Sequence, residues 1–211
     1  MALQHVKRAI IAPHCDDETL GCGGLLAKYD GECGVIVLTA PEKVREKEFN
    51  RAQEILGYGP SCLLGFPDGY LGTEMRDVVG ALDAALAEWR PDELYLPFPS
   101  LHQDHIAAYE AGMRAARLSM TEGHHYTPSV YVYDVAVYDA QLYPSDLKWN
   151  VFESLAEEHV DRKVEALEAY SSQAVTGPHP ANSVKQMAHA IGVTRQVAWA
   201  EQYALVRKVR A

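Results

Sequence analysis

The chain has 211 residues, a length that suits one α/β domain whose core needs no disulfide or structural metal to hold it. Hydrophobic residues make up 48% and charged residues 23%, which excludes intrinsic disorder, a collagen-like repeat and a disulfide mini-scaffold. The net charge is −10 with nine histidines neutral, and the densest basic stretch is Arg207, Lys208 and Arg210 at the end of the chain. That balance argues against nucleic acid or anionic lipid as the main partner.

Short β-branched runs alternate with longer amphipathic ones. Val6 to Ala12 reads as a strand ending at Pro13, followed by a helix from Leu20 to Tyr29 and a strand from Gly34 to Ala40. Pro41 suits the first turn of a helix running to Leu56 and stopped by Gly57. A short strand, Leu63 to Phe66, leads into the turn Pro67-Asp68-Gly69. Leu82, Ala85, Leu86 and Trp89 mark a helix from Thr73 to Trp89, and Glu93 to Pro97 is a fourth strand. A helix from His102 to Met120 is expected to bury Ile106, Tyr109, Met113 and Ala116. Val130 to Asp139 and, more weakly, Lys148 to Phe152 are strands. Glu153 to Tyr170 is a helix with Leu155, Val160, Val164 and Leu167 inward. A loop follows from Ser171 to Asn182, then a helix from Ser183 to Ile191 and a last strand from Tyr203 to Val209. The alternation predicts βαβ units in a Rossmann-like, mostly parallel sheet with helices on both faces, residues 1–211 forming one domain.

No apolar stretch approaches the roughly 18 residues of a membrane span, and Ala9-Ile10-Ile11-Ala12 is too short for a signal peptide core. Cys15, Cys22, Cys33 and Cys62 form no CxxC pair, so reduced, mostly buried thiols and a cytoplasmic location are expected.

The chemistry concentrates at two places. The first strand runs into Pro13-His14-Cys15-Asp16-Asp17-Glu18, and the fourth into Ser100-Leu101-His102-Gln103-Asp104-His105. In open parallel sheets ligands bind beyond the carboxyl ends of strands. Imidazole and carboxylate are good donors for Zn²⁺, and catalytic zinc takes about three protein ligands plus water. Capping of a helix N-terminus is the competing use of Asp16, Asp17 and Glu18. Two matched clusters at strand ends of one sheet favour a site, with His14, Asp17 and either His102 or His105 as three ligands.

Pro13-His14-x-Asp16-Asp17-Glu18 with Gly23-Gly24 behind it, together with His102-x-Asp104-His105, resembles the two signature motifs of the PIG-L/LmbE family of zinc-dependent deacetylases acting on N-acetylglucosamine units and related amides. Arg45-x-x-Glu48-x-x-x-Ala52-x-x-x-Leu56-Gly57, Gly65-Phe66-Pro67-Asp68-Gly69, Lys163-x-x-Ala166-Leu167-x-x-Tyr170-x-Ser172-Gln173 and Ala200-Glu201-x-Tyr203 extend the resemblance along the chain. Cys15 departs from it, standing where the family usually has proline; it is expected to pack. The resemblance implies His14, Asp17 and His105 as metal ligands, for zinc or for Fe²⁺, which the same donor set accepts. It implies Asp16 as the general base toward water. His102, as imidazolium, would stabilise the oxyanion and protonate the leaving amine. Asp104 would orient His102 or hold it charged, or else cap a helix. Arg45 and Asp68 are candidates to grip sugar hydroxyls, against a solvated helix face and a plain turn residue respectively. Gln173 and the loop through His179 would shape the outer pocket.

The expected reaction is hydrolysis of the N-acetyl group of an N-acetylglucosamine-type amino sugar, free or conjugated, releasing acetate and an amine. Cleavage of a larger sugar amide and non-catalytic sugar binding on the same fold are the alternatives, the latter opposed by the intact Asp16 and His102. Gly21-Cys22-Gly23-Gly24 lacks the GxGxxG spacing of a dinucleotide site. His5, His124, His125, His159 and His189 have no paired acidic motif and read as surface or structural, and a homo-oligomer is compatible with the sequence.

Overall fold

The structure, a computed structural model, describes residues 6–135, 145–173 and 180–210. In chain order the elements are β1 (Arg8–Ala12), α1 (Asp17–Lys28), β2 (Cys33–Thr39), α2 (Lys43–Leu56), β3 (Ser61–Phe66), α3 (Met75–Trp89), β4 (Glu93–Pro97), α4 (Gln103–Ala115), β5 (Ser129–Tyr133), β6 (Trp149–Leu155), α5 (Glu157–Glu168), α6 (Pro180–Val193) and β7 (Trp199–Lys208), with a short 3₁₀ turn at Ser171–Gln173. Among the described residues the seven strands form one sheet in the order β3-β2-β1-β4-β5-β7-β6. Pairings from β3 to β5 are parallel, and β7 runs antiparallel to both β5 and β6.

The expected Rossmann-like, mostly parallel α/β architecture is therefore present. It follows from strands such as β2, Cys-Gly-Val-Ile-Val-Leu-Thr, which is buried along its whole length, as a strand covered on both faces must be. Alternate residues of β1 feed two cores: Ile10 and Ala12 pack with Leu25, Phe49 and Leu167 on one face, Ala9 and Ile11 with Leu82, Leu86 and Ala108 on the other. Gly57, in the left-handed conformation at φ 72°, ends α2 as expected by donating its N–H to Gln53 O. All four cysteines are free, and three of them are buried.

Several boundaries differ from expectation. Pro41 precedes α2, whose N-cap is Glu42. β6 continues through Glu153 to Leu155, displacing the start of the following helix to Glu157, because its ladder with β7 extends to Leu155↔Trp199. Glu153 is moreover pinned to α1 by Lys28 Nζ and Tyr29 OH. α4 ends at Ala115, and its buried face is Ala107, Ala108, Ala111, Gly112 and Ala115. The larger Ile106, Tyr109 and Met113 are only partly buried. Small side chains win the inner face because Leu96 of β4 lies so near that a Cβ at Gly112 would meet its Cδ2 at 2.3 Å. The expected continuation of β5 to Asp139, and the residues His5, Tyr138 and His179, lie outside the described residues.

Gly21, inside α1, faces Tyr133, and a Cβ there would stand 2.0 Å from the ring. Tyr133 is fully buried and donates its hydroxyl to Ile11 O at 2.8 Å, so the ring has no room to swing aside. Gly21→Ala is expected to destabilise the protein by ~1–3 kcal/mol, read as a lower denaturant midpoint at unchanged slope. An unchanged midpoint would mean that α1 shifts without cost.

Candidate active site

The strand order reverses beside β1: the chain steps outward through β2 and β3, then returns to place β4 on the other side of β1. This is a topological switch point, where open α/β sheets leave a crevice at the strands' carboxyl ends. Both sequence clusters enter that crevice. His14 lies in the loop after β1, Asp16 and Asp17 at the start of α1, His102 at the N-cap of α4, and Asp104 and His105 in its first turn. Thr39 at the end of β2 fastens the first loop, its N–H and Oγ1 both donating to Pro13 O. His14, Asp16, Asp17, His102 and His105 line a cleft of about 920 Å³, together with Arg45, Asp68 and Gln173.

Asp17 is the hub. One oxygen, Oδ2, accepts the His14 backbone N–H at 3.0 Å, and lies 3.2 Å from His14 Nδ1 and 3.4 Å from His105 Nε2. Each imidazole has its far nitrogen engaged. His14 Nε2 is 3.1 Å from Asp68 Oδ1 and 3.3 Å from Asp104 Oδ2, and His105 Nδ1 is 3.0 Å from Ser100 Oγ. Burial would push Asp17 up, yet the two histidines hold it well below the carboxylate range. Burial would lower His14, but Asp17, Asp68 and Asp104 outweigh it and raise it to about 9.

Asp16 stands beside this hub in a strained backbone, φ 123° and ψ −28°. Its N–H donates to Glu18 Oε2 at 3.0 Å, and its Oδ2 accepts Arg45 Nη1 at 2.8 Å. Burial and the adjacent Asp17 push its carboxyl well above the usual range, against the pull of Arg45. Arg45 also donates to Cys15 O. The Cys15 thiol is buried and pushed upward by burial and the neighbouring carboxylates.

Asp104 acts on His102 through its charge and its backbone N–H, and it is not the cap of α4. Its carboxylate accepts the Gly69 and Leu71 N–H groups at 2.6 and 3.2 Å and faces His14, while its contact with His102 is through the backbone. The Asp104 N–H donates to His102 Nδ1 at 3.2 Å, so His102 itself caps α4. The physical reason is the loop after β3, which lays two backbone donors over the buried carboxylate. With Nδ1 accepting, the His102 proton sits on Nε2, and burial followed by His14 and His105 lowers its affinity for a second proton. That shift runs against the expected imidazolium form of His102.

Arg45 and Asp68 contact Asp16 and His14, so both belong to the cluster; the Asp68 side chain is 69% exposed. Sequence reasoning gave no site role beyond capping to the buried Glu18, which accepts from Asp16 N–H, Thr19 Oγ1 and Tyr170 OH. It quoted Ser100 and Glu48 within motifs and assigned neither a role. The remaining described histidines bond to nearby backbone, as in His125 Nε2 to Pro91 O at 2.8 Å.

A divalent metal fits this donor set. Two bonds of about 2.0–2.1 Å at a tetrahedral angle set donor atoms about 3.3 Å apart, and Asp17 Oδ2 stands 3.2 and 3.4 Å from the two imidazole nitrogens. Carboxylate and hydroxyl groups behind the imidazoles are the support that metal-ligating histidines need. Among the described residues two groups have ligand atoms within 4.8 Å of one another: His14, Asp17 and His105, and His14, His102 and Asp104.

The model of the PIG-L family, described as GlcNAc-PI de-N-acetylase, matches residues 9–116. The chain is 28% identical over 217 residues to the probable N-acetyl-alpha-D-glucosaminyl L-malate deacetylase 2 of Bacillus anthracis, an alignment covering 92% of this chain and 91% of that one. The crystal structure of the conserved protein TT1542 from Thermus thermophilus superposes with a TM-score of 0.78 at 27% identity, covering 98% and 97% of the two chains. GalB, the 4-carboxy-2-hydroxymuconate hydratase from Pseudomonas putida KT2440, superposes at 0.76 over 98% of each chain with 17% identity. That last likeness is one of fold, and the reaction has to be argued from the side chains.

Proposed function

The chain belongs to the PIG-L family, and from that premise we propose that it is a metal-dependent hydrolase that removes the N-acetyl group from an N-acetylglucosamine-type amino sugar, free or conjugated. The observation that carries the reading is the convergence of His14 Nδ1, Asp17 Oδ2 and His105 Nε2 beside a separate carboxylate, Asp16. His14, Asp17 and His105 hold the metal, Zn²⁺ or Fe²⁺. When bound, such an ion acidifies water and polarises a carbonyl oxygen.

Asp16 is the general base. Arg45 holds its Oδ2, which orients the carboxylate and leaves the other oxygen to take the proton from water. His102, with its proton on Nε2, donates toward the carbonyl oxygen as charge develops there. Asp104 and Asp68 hold His14 from behind, and Asp68 with Gln173 faces the sugar side of the cleft. The C–N bond breaks as the leaving nitrogen takes up the proton that Asp16 drew from water, and the products are acetate and a free amine.

The test is acetate release from N-acetylglucosamine and its conjugates, before and after chelation and with Zn²⁺ or Fe²⁺ restored. Activity that disappears on chelation and returns with metal is expected. Full activity in the chelated protein overturns the metal role, and a loaded protein that releases no acetate from any member overturns the substrate class.

A further inference from the structure

The far wall of the cleft is built by the turn Ser171–Gln173, whose Ser172 and Gln173 line it. This turn follows α5 directly, and one buried side chain of α2 grips it. Glu48 Oε1 accepts Ser171 Oγ at 2.9 Å and the Ser172 N–H at 2.8 Å, and Glu48 Oε2 accepts Ser172 Oγ at 2.5 Å. Glu48 lies one turn along α2 from Arg45, so the two share a helix face, and Arg45 reaches Asp16 from there. A carboxylate that is only 8% exposed is tolerated because three donors satisfy it. Those serine donors, with Arg45, outweigh burial and keep it ionised, below the usual glutamate range. On the other side Tyr170 OH donates to Glu18 Oε1 at 2.8 Å, so residues 170–172 are held from α1 and α2 at once.

We propose that Glu48 is a positioning residue: by clamping Ser171 and Ser172 it fixes the outer wall of the cleft and so sets the affinity for the part of the substrate beyond the acetamide. The proposal rests on the deacetylase reading of the site. The hydrogen bonds of Glu48 go to Ser171 and Ser172, so the clamp is expected to act mainly on substrate binding; its link toward the reacting centre is the charge it shares with Arg45, which holds Asp16.

The experiment compares Glu48→Ala, Glu48→Gln, Ser172→Ala and the Glu48→Ala/Ser172→Ala double variant in the full metal-loaded chain. The probes are N-acetylglucosamine and its β-1,4-linked dimer. For the dimer, KM is expected to rise about 10-fold in Glu48→Ala with kcat within about 2-fold, and KM for the monomer to move less. The double variant should be no worse than Glu48→Ala alone, since both remove one interaction. Ser172 is exposed, so Ser172→Ala keeps the comparison open if Glu48→Ala fails to fold. Hydrogen exchange at the Ser172 amide supplies a second readout that needs no turnover and is expected to accelerate at least about 10-fold in Glu48→Ala.

A fall in kcat at constant KM, or KM changes equal for both probes, overturns the proposed role. Unchanged exchange at Ser172 overturns the clamp itself. If the unaltered protein releases no acetate from either sugar, the deacetylase reading falls, and with it the role in affinity, while the exchange measurement still decides the clamp.

Discussion

Asp16→Asn is expected to bind metal as the unaltered protein does and to lose ~10²–10⁴-fold in kcat. The asymmetry between adjacent aspartates is the reason. Asp17 is buried, with one oxygen contacting the His14 backbone and two imidazoles, whereas Asp16 turns its carboxylate to Arg45. Asparagine keeps an oxygen for Arg45 and tolerates positive φ better than most residues, so the φ 123° backbone at this position is retained. What disappears is the capacity to take a proton. Metal content by elemental analysis alongside acetate release separates the two roles. If the variant loses metal together with activity, Asp16 is the ligand and Asp17 the base.

Much of this site is legible in the sequence because both clusters follow buried strands. The apolar runs ending at Ala12 and Pro97 mark where the sheet stops, and His14 and His102 to His105 follow at once. What the sequence does not display are bonds between distant segments. The Asp104 carboxylate bonds to Gly69 and Leu71, a pairing set by how the loop after β3 folds over α4. The Glu48 grip on Ser171 and Ser172 spans more than 120 positions, and the Arg45-x-x-Glu48 spacing signals only that two side chains share a helix face. The fold shows the same division. β1 and β4 are placed by their own apolar runs, whereas β6 acquires its full length from β7, whose partner residues lie about fifty positions away. The buried face of α4 escapes sequence reading for a related reason: a helix pressed closely onto a sheet buries its small residues, and a search for large apolar ones selects its flank.

His105→Ala is expected to lose the metal, and His102→Ala to retain about one ion per chain while its kcat falls ~10²–10⁴-fold. These variants decide between the two groups that share His14. Removing a residue that only supports a ligand typically costs ~10–100-fold in metal affinity, and loss of a ligand itself should exceed that. In the group with Asp17 and His105, the nitrogens aimed at Asp17 are His14 Nδ1 and His105 Nε2, and their far nitrogens are already held by Asp68, Asp104 and Ser100. In the group with His102 and Asp104, the carboxylate is occupied by two backbone N–H groups, and His102 Nδ1 accepts the Asp104 N–H. A metal there would share the Asp104 carboxylate with the bonds that fasten the loop after β3. It would also have to use His14 through Nε2, the atom that Asp68 and Asp104 hold. The reverse result, a metal-poor His102→Ala beside a fully loaded His105→Ala, would move the ion to the second group and return His105 and Asp17 to structural roles.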